Sequence, residues 1–254
     1  MTSTISRPGQ DEIAFQAKLY SDPNPTRRGL HLARRAWIEA TLIPLLKPGV
    51  RVLEVGVGCG IFTRFLSDNG ADIAAVDINQ AFLDGVVDVR GVGVTNGDAT
   101  YDLGIRDIDV ALCSEVVEHV PRDRSQAMLD QFYTALKPGG VLILSTPQRY
   151  ASVELMARLF KFPLILALAR RIYGTAEELG HINLLTRAQL QSQIVRAGFV
   201  IEKQALFGFY LPGIAEFGGG LGAALLHRIG RLIENVPLLR GLIWTQAYQL
   251  RKPL

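Results

Sequence analysis

Two carboxylates and an imidazole follow one another closely in the middle of the chain. In the segment CSEVVEHVP, Glu118 and His119 lie three and four residues after Glu115. If Glu115 begins a helical turn, these offsets place the three side chains on one face. Oxygen and imidazole ligands suit Mg²⁺, Mn²⁺ or Zn²⁺, and His181 in the later segment GHIN could add a fourth ligand. The alternative is that His119 works without a metal, as a general base or a structural hydrogen-bonding group.

A glycine-rich loop is the sharpest local pattern. Residues 54–60 read EVGVGCG, which end a predicted strand and open a helix, and glycine lets the backbone approach a ligand there. The dinucleotide pattern G-x-G-x-x-G does not fit, because its last glycine would fall on Ile61 or Thr63. Asp77, at the end of the next predicted strand, could accept both hydroxyls of a ribose. The alternative is a tight turn with Asp77 as a helix cap.

Alternating strands and helices must position these residues. Short apolar runs predict buried parallel strands at 50–55, 71–76, 91–94, 108–113 and 140–144, and further strands at 199–206 and 242–251. Helices are predicted at 60–69, 79–88, 123–136 and 186–197, the last capped by Thr186. This alternation predicts an α/β, doubly wound sheet, which binds ligands at the carboxyl ends of its strands.

Five segments in this order resemble the motifs of class I S-adenosylmethionine-dependent methyltransferases. They are VLEVGVGCG (52–60), AVDIN (75–79), NGDA (96–99), DVALCSEVVEHV (109–120) and LKPGGVLILSTP (136–147). The resemblance implies a Rossmann-like sheet of seven strands, mostly parallel, with an antiparallel last strand. It also implies S-adenosylmethionine as the cofactor and methyl transfer as the activity.

The resemblance also implies where the cofactor lies. The residues expected around it are Glu54, Gly56, Gly58 and Gly60 at its methionine end, Asp77 at its ribose, Asp98 and Ala99 at its adenine, and Ser114 beside its sulfonium. Ile78 is also expected to bind the cofactor.

Two further segments resemble the ubiquinone-biosynthesis O-methyltransferase group. Residues 24–27 (NPTR) are similar to its N-P-x-R segment, in which the arginine, here Arg27, reaches the cofactor carboxylate. Residues 113–121 are similar to its C-x-E-x-x-E-H-V-P. The resemblance implies O-methylation with His119 and Glu115 as catalytic groups. It also supports a metal site of Glu115, Glu118, His119 and His181, because some small-RNA 2′-O-methyltransferases bind metal through E-x-x-E-H and a distant histidine.

Residues 150–173 mix aliphatic side chains with cations. Arg158, Lys161, Arg170 and Arg171 interrupt the apolar run, and Pro163 is expected to divide it into two helices. Such a segment suits peripheral contact with a membrane surface. The alternatives are a lid over the substrate and a dimer contact, and a homodimer stays open. We expect a tail and helical cap at 1–49, then one methyltransferase domain at 50–254 with apolar inserts at about 150–185 and 207–241.

Charge and composition narrow the partners. The chain is 48% hydrophobic, and residues 151–254 hold 12 of its 27 Lys and Arg but only 6 of its 24 Asp and Glu. A basic and apolar half favours an anionic membrane over nucleic acid, and no DNA partner is expected. The longest charge-free run, 204–215, is shorter than the ~20 residues that span a bilayer. The chain has two cysteines, which fits a reducing compartment. Asp11 and Glu12 lie where an export signal would be apolar. We therefore expect a cytoplasmic enzyme, peripheral on the inner face of the membrane.

The predicted function is therefore O-methylation of a lipophilic hydroxyl compound, such as a quinol precursor or another lipid, with Mg²⁺ or another divalent ion as a second cofactor. One alternative is methylation of a soluble natural product, a sugar or RNA, with the apolar inserts as lid or dimer interface. The other is a non-enzymatic cofactor-binding scaffold.

Overall fold

A seven-stranded sheet forms the centre of the computed structural model, which describes residues 8–158 and 181–254. Its strands are β1 Arg51–Val55, β2 Asp72–Asp77, β3 Val92–Asn96, β4 Ile108–Ser114, β5 Leu136–Pro147, β6 Val200–Phe207 and β7 Thr245–Arg251. They lie in the order β3-β2-β1-β4-β5-β7-β6. The first five pair in parallel, while β7 runs antiparallel to both β5 and β6. The predicted sheet, with its antiparallel last strand, is confirmed.

Helices precede, connect and follow these strands. They are α1 Pro8–Leu19, α2 Pro25–Leu42, α3 Ile61–Asp68, α4 Gln80–Asp84, α5 Ser125–Ala135, α6 Ser152–Ala157, α7 Arg187–Arg196, α8 Pro212–Phe217 and α9 Gly219–Glu234. Helices α1 and α2 fall in the predicted N-terminal cap. Thr186 caps α7 as expected, through a reciprocal capping box with Gln189.

Two layers of apolar side chains cover the sheet. Successive strand residues point to opposite faces, so Leu53 and Val55 pack with α5 and α7 while Val52 packs with α2, α3 and α4. Phe132 and Ile38 are among the largest fully buried side chains in these two layers. The sheet is therefore held rigidly between helices, and its strand ends are fixed points for a site.

Three predicted boundaries are wrong. The strand predicted at 242–251 begins at Thr245, after a 3-10 turn at Arg240–Leu242. The helix predicted at 79–88 ends at Asp84, where Gly85 caps it. The strand predicted at 140–144 begins already at Leu136, directly after α5. The KPGG segment therefore belongs to β5 rather than to a loop. There Gly139 adopts a φ of 78°, and the register with β4 shifts between Ile108 and Val110.

The C-terminal insert folds as α8 and α9. Tyr210, Ala215 and Leu226 bury there against Leu30 of α2, so this insert packs on the N-terminal cap. Within the described ranges, no helix is long and apolar enough to cross a bilayer. Of the segment 150–173, the structure describes only the part through Arg158. The predictions for Lys161, Pro163, Arg170 and Arg171 lie outside the described residues.

Candidate active site

The glycine loop after β1 is tightly enclosed. Gly56 and Gly60 have φ values of 82° and 71°, which side chains rarely adopt. A Cβ on Gly56 would lie 2.2 Å from Val116, and one on Gly60 would lie 2.5 Å from Val86. The loop therefore contacts the turn after β4 and opens α3, as the spacing predicted.

Asp77 joins the loops that follow β1 and β2. Its Oδ2 accepts the N–H of Val57 at 2.9 Å, and its Oδ1 accepts the N–H of Asn79 at 2.8 Å. Burial raises the pKa of this carboxyl. Each carboxylate oxygen retains capacity for a second hydrogen bond, so the predicted ribose hydroxyls still have acceptors.

Glu54, at the end of β1, is a buried acid. Burial and the nearby Asp77 raise the pKa of Glu54 to about 8. Its Oε2 has no hydrogen-bond partner among the described residues. An ammonium group placed beside this oxygen would satisfy it and favour the charged carboxylate. The loop and this orphaned oxygen fit the amino-acid end of S-adenosylmethionine, as the sequence predicted.

The remaining predicted cofactor residues line the same edge of the sheet. Asp98 accepts the N–H of Thr100 at 2.9 Å and pairs with Arg124 at 3.3 Å. The hydroxyl of Ser114 lies 3.0 Å from that of Ser145. Ile78 is exposed, and Ala99 packs on the apolar layer beneath the edge. Their contacts with adenine, ribose and sulfonium stay predictions.

Arg27 is held by two carboxylates of the protein. Its guanidinium pairs with Asp22 at 2.9 Å and with Glu216 of α8 at 2.8 Å. These partners raise the pKa of Arg27. The structure thus places Arg27 between the cap and the C-terminal insert, and its contact with a cofactor carboxylate stays a prediction.

The predicted helical turn beginning at Glu115 is wrong. Glu115 follows β4 in the left-handed region, with a φ of 58°, and the short 3-10 turn spans Val117–His119. The N–H of Glu115 donates to the carbonyl of Ser145, which continues the pairing of β4 with β5. Its carboxylate pairs with Arg34 at 2.8 Å. Sheet pairing and this ion pair therefore decide where Glu115 lies.

Three of the four predicted metal ligands come together. Glu118, His119 and His181 each offer a ligand atom within 4.8 Å of the others. The backbone carbonyl of Glu118 accepts N–H groups from Ile182 and Asn183 at 2.9 and 3.0 Å, which docks the GHIN segment beside the turn. Glu115 is not part of this group.

Two acidic side chains contribute to this group: Glu118 is one of its members, and Glu154 contacts His181. Glu118 is buried and accepts a hydrogen bond from Thr146 at 2.8 Å. Burial and the nearby Glu115 raise its pKa well above the ordinary value. Glu154 of α6 lies 3.0 Å from Nδ1 of His181. A carboxylate on one ring nitrogen orients a histidine that binds metal through the other.

The group therefore fits a divalent cation. Glu118, His119 and His181 would hold it, and Glu154 would fix the ring of His181. Bound there, the ion would supply Lewis-acid stabilisation of an oxyanion. Without an ion, the exposed His119 can serve as a base, because solvent can receive its proton.

Sequence reasoning missed Arg34 and Glu154. Arg34 is buried in α2, where it contacts Glu115 and the hydroxyl of Tyr20 at 3.3 Å. It shares the buried helix face with Ile38 and Leu42, so helical periodicity could have found it. No comparable pattern in the sequence indicates Glu154.

Comparisons with known proteins identify the family of the chain. The chain matches the model of the methyltransferase domain family over residues 28–204. The ubiquinone biosynthesis O-methyltransferase of Ralstonia nicotianae is 33% identical over 171 residues, which are 62% of this chain and 69% of that protein. The same-named protein of Paraburkholderia phymatum is 35% identical over 147 residues, 54% of this chain and 61% of that protein. The match thus spans about three fifths to two thirds of these relatives' length.

Solved structures share the fold. The N-methyltransferase NodS from Bradyrhizobium japonicum WM9, in complex with S-adenosyl-l-homocysteine, superposes with a TM-score of 0.57 at 13% identity, over 97% of both chains. Magnesium protoporphyrin IX methyltransferase from Synechocystis PCC 6803, also with bound S-adenosyl-l-homocysteine, gives 0.59 at 17% identity, over 96% of this chain and 94% of that one.

Proposed function

The chain belongs to the methyltransferase domain family, and we propose that this S-adenosylmethionine-dependent methyltransferase transfers its methyl group to a hydroxyl oxygen of a lipophilic acceptor at a membrane surface. A phenolic quinol precursor is the acceptor class that we favour. The observation that carries the proposal is the group of Glu118, His119 and His181 beside the end of β4, next to the glycine loop.

Methyl transfer explains why such a group is needed. An oxygen nucleophile attacks the methyl carbon in line with the sulfonium, so the hydroxyl must lose its proton as the carbon–oxygen bond forms. A positioned general base contributes about 10²–10⁴-fold to such a step. His119 is suited to this role because its ring is exposed. The ring of His181 lies 5.3 Å from it, measured between centroids.

The rest of the site orients the reactants. Asp77 and the glycine loop would hold the cofactor, and Glu54 would bind its ammonium group. Arg34 of α2 holds Glu115 in the ion pair already described. Holding both reactants in line is a large part of the rate enhancement in such reactions.

The acceptor class rests on two kinds of support. The curated relatives are named ubiquinone biosynthesis O-methyltransferases. The described C-terminal insert also exposes large apolar side chains, including Phe217 and Leu221. A lipophilic acceptor and a lipid surface account for both observations.

A comparison of acceptors tests the proposal. The purified protein is given methyl-labelled S-adenosylmethionine with a short soluble catechol, with the same ring bearing an isoprenoid tail in vesicles, or with a primary amine. We expect methyl ether on both catechols, at a lower KM for the tailed one, and no N-methyl product. His119→Gln should lower kcat on the short catechol by about 10²-fold or more, whereas His227→Gln, an exposed histidine on α9, should leave it unchanged. Label on the amine alone would contradict the proposal.

A further inference from the structure

Helix α9 presents a leucine stripe to solvent. Leu221, Leu225 and Leu232 are 88%, 48% and 69% exposed, and Leu238 beyond the helix is 94% exposed. The three helical leucines lie four and seven residues apart, so they share one side of the helix. Contiguous exposed apolar area of this kind marks an interaction surface.

The side of α9 opposite the leucine stripe packs against the protein, and the leucines therefore stay exposed. Gly222, Leu226 and Gly230 form its buried face. A Cβ on Gly222 would lie 2.6 Å from the carbonyl of Ile214. Two glycines and one leucine thus form the packed side of the helix, while Leu221, Leu225 and Leu232 stay outside.

Cations accompany the leucines. Arg228 lies between Leu225 and Leu232 on the same side, and Arg231 lies next to it. Neither guanidinium forms an ion pair with a described residue. The nearest acid along the helix is Glu234, in its last turn. Leucines beside arginines that pair with no acid of the described residues are complementary to acyl chains below anionic headgroups.

We propose that this surface of α9, formed by Leu221, Leu225, Arg228, Arg231, Leu232 and Leu238, docks on an anionic lipid surface. The proposal deepens the proposed function, because it names the surface that would bring the enzyme to its acceptor. A second copy of the chain is a poorer occupant, since a two-fold contact through this side brings like-charged arginines together. Because α9 packs on α2, which carries Arg34, docking would also fix the cap over the site.

Vesicle flotation tests this surface without measuring activity, so its failure is distinguishable from failure of the proposed function. The intact chain is floated with phosphatidylcholine vesicles that contain or lack phosphatidylglycerol. Arg228→Gln with Arg231→Gln should lower the partition coefficient on anionic vesicles by about 30-fold, as about 1 kcal/mol per cation implies. The matched control is Arg90→Gln with Arg196→Gln, two exposed arginines elsewhere, which should change it less than about twofold.

A second variant examines the apolar part. Leu221→Gln, Leu225→Gln and Leu232→Gln together should abolish the binding that persists at high salt, while Val195→Gln on α7 should not. Three results would overturn the proposal. One is unchanged flotation of the α9 variants while charge reversal at 158, 161, 170 and 171 releases the protein. Another is conversion of a dimer to a monomer by the leucine variant, seen by light scattering, with flotation unchanged. The last is a lowered Tm of that variant with flotation unchanged, which would mean that the leucines are covered by the protein itself.

Discussion

Replacing Asp77 by alanine should weaken cofactor binding by more than the loss of folding stability alone would explain. Two charge-assisted hydrogen bonds to ribose hydroxyls would be lost, each worth about 1.5–3 kcal/mol. Allowing for some compensation by water, we expect a loss of about 3–5 kcal/mol, which raises Kd roughly a few hundred- to a few thousand-fold. Isothermal titration calorimetry with S-adenosylhomocysteine measures this directly.

The same substitution also removes two internal contacts. The N–H groups of Val57 and Asn79 lose the carboxylate that they share. Freeing a buried donor costs about 1–3 kcal/mol, so the Tm without cofactor should fall as well. This loss acts on free and bound protein alike and contributes little to Kd. Titrations must therefore be run well below the lowered Tm.

Asp72 provides the matched control. It lies at the other end of β2 and is exposed, so Asp72→Ala should leave both Kd and Tm nearly unchanged. If Asp77→Ala lowers the Tm but leaves Kd unchanged, Asp77 only braces the two loops. The ribose would then lie elsewhere and our placement of the cofactor would be refuted.

Three further predictions concern buried charges and the metal. Glu54 has a pKa of about 8 in the folded protein against an ordinary 4.5, so the folded state keeps a proton that the unfolded chain releases, and stability should fall as pH rises through that window. In the wild type this fall in the free energy of unfolding should be about 3–5 kcal/mol at most. Urea unfolding of Glu54→Gln at several pH values should show no such fall. Arg34→Gln should cost about 3–5 kcal/mol by leaving Glu115 unpaired, and the double variant with Glu115→Gln should cost less than the sum of the single losses in the same assay. A chelator should abolish turnover while leaving S-adenosylhomocysteine binding intact, and Mg²⁺ or Mn²⁺ should restore turnover in the wild type but not in His181→Gln; full activity in excess chelator would leave His119 as a lone base.

The sheet and the glycine loop were predictable because their signals are local. Each strand is a short apolar run beside a turn, and the loop after β1 needs glycine at positions that the sequence displays. Asp77 could be placed from the same information, since it ends the next strand. Local patterns of this kind predict the structure correctly because the apolar runs that indicate strands are the residues that folding buries.

Long-range contacts account for what the sequence did not predict. Glu115 looked like the start of a helical turn, but pairing of its backbone with β5 and of its carboxylate with Arg34 sets its position. Neither partner is near it in the sequence. Glu216 is likewise far from Arg27 in the sequence, so no local pattern indicated their ion pair. Residues whose positions depend on distant partners are those that spacing alone misplaces.

Transfer of label from methyl-labelled S-adenosylmethionine to an extract of the source cells tests the central claim most directly. The purified protein should move label into the organic phase, as an acid-stable methyl ether. Asp72→Ala should do the same, whereas Asp77→Ala and His119→Gln should not. Label that stays wholly in the aqueous phase, or that enters nucleic acid or protein, would contradict a lipophilic hydroxyl acceptor.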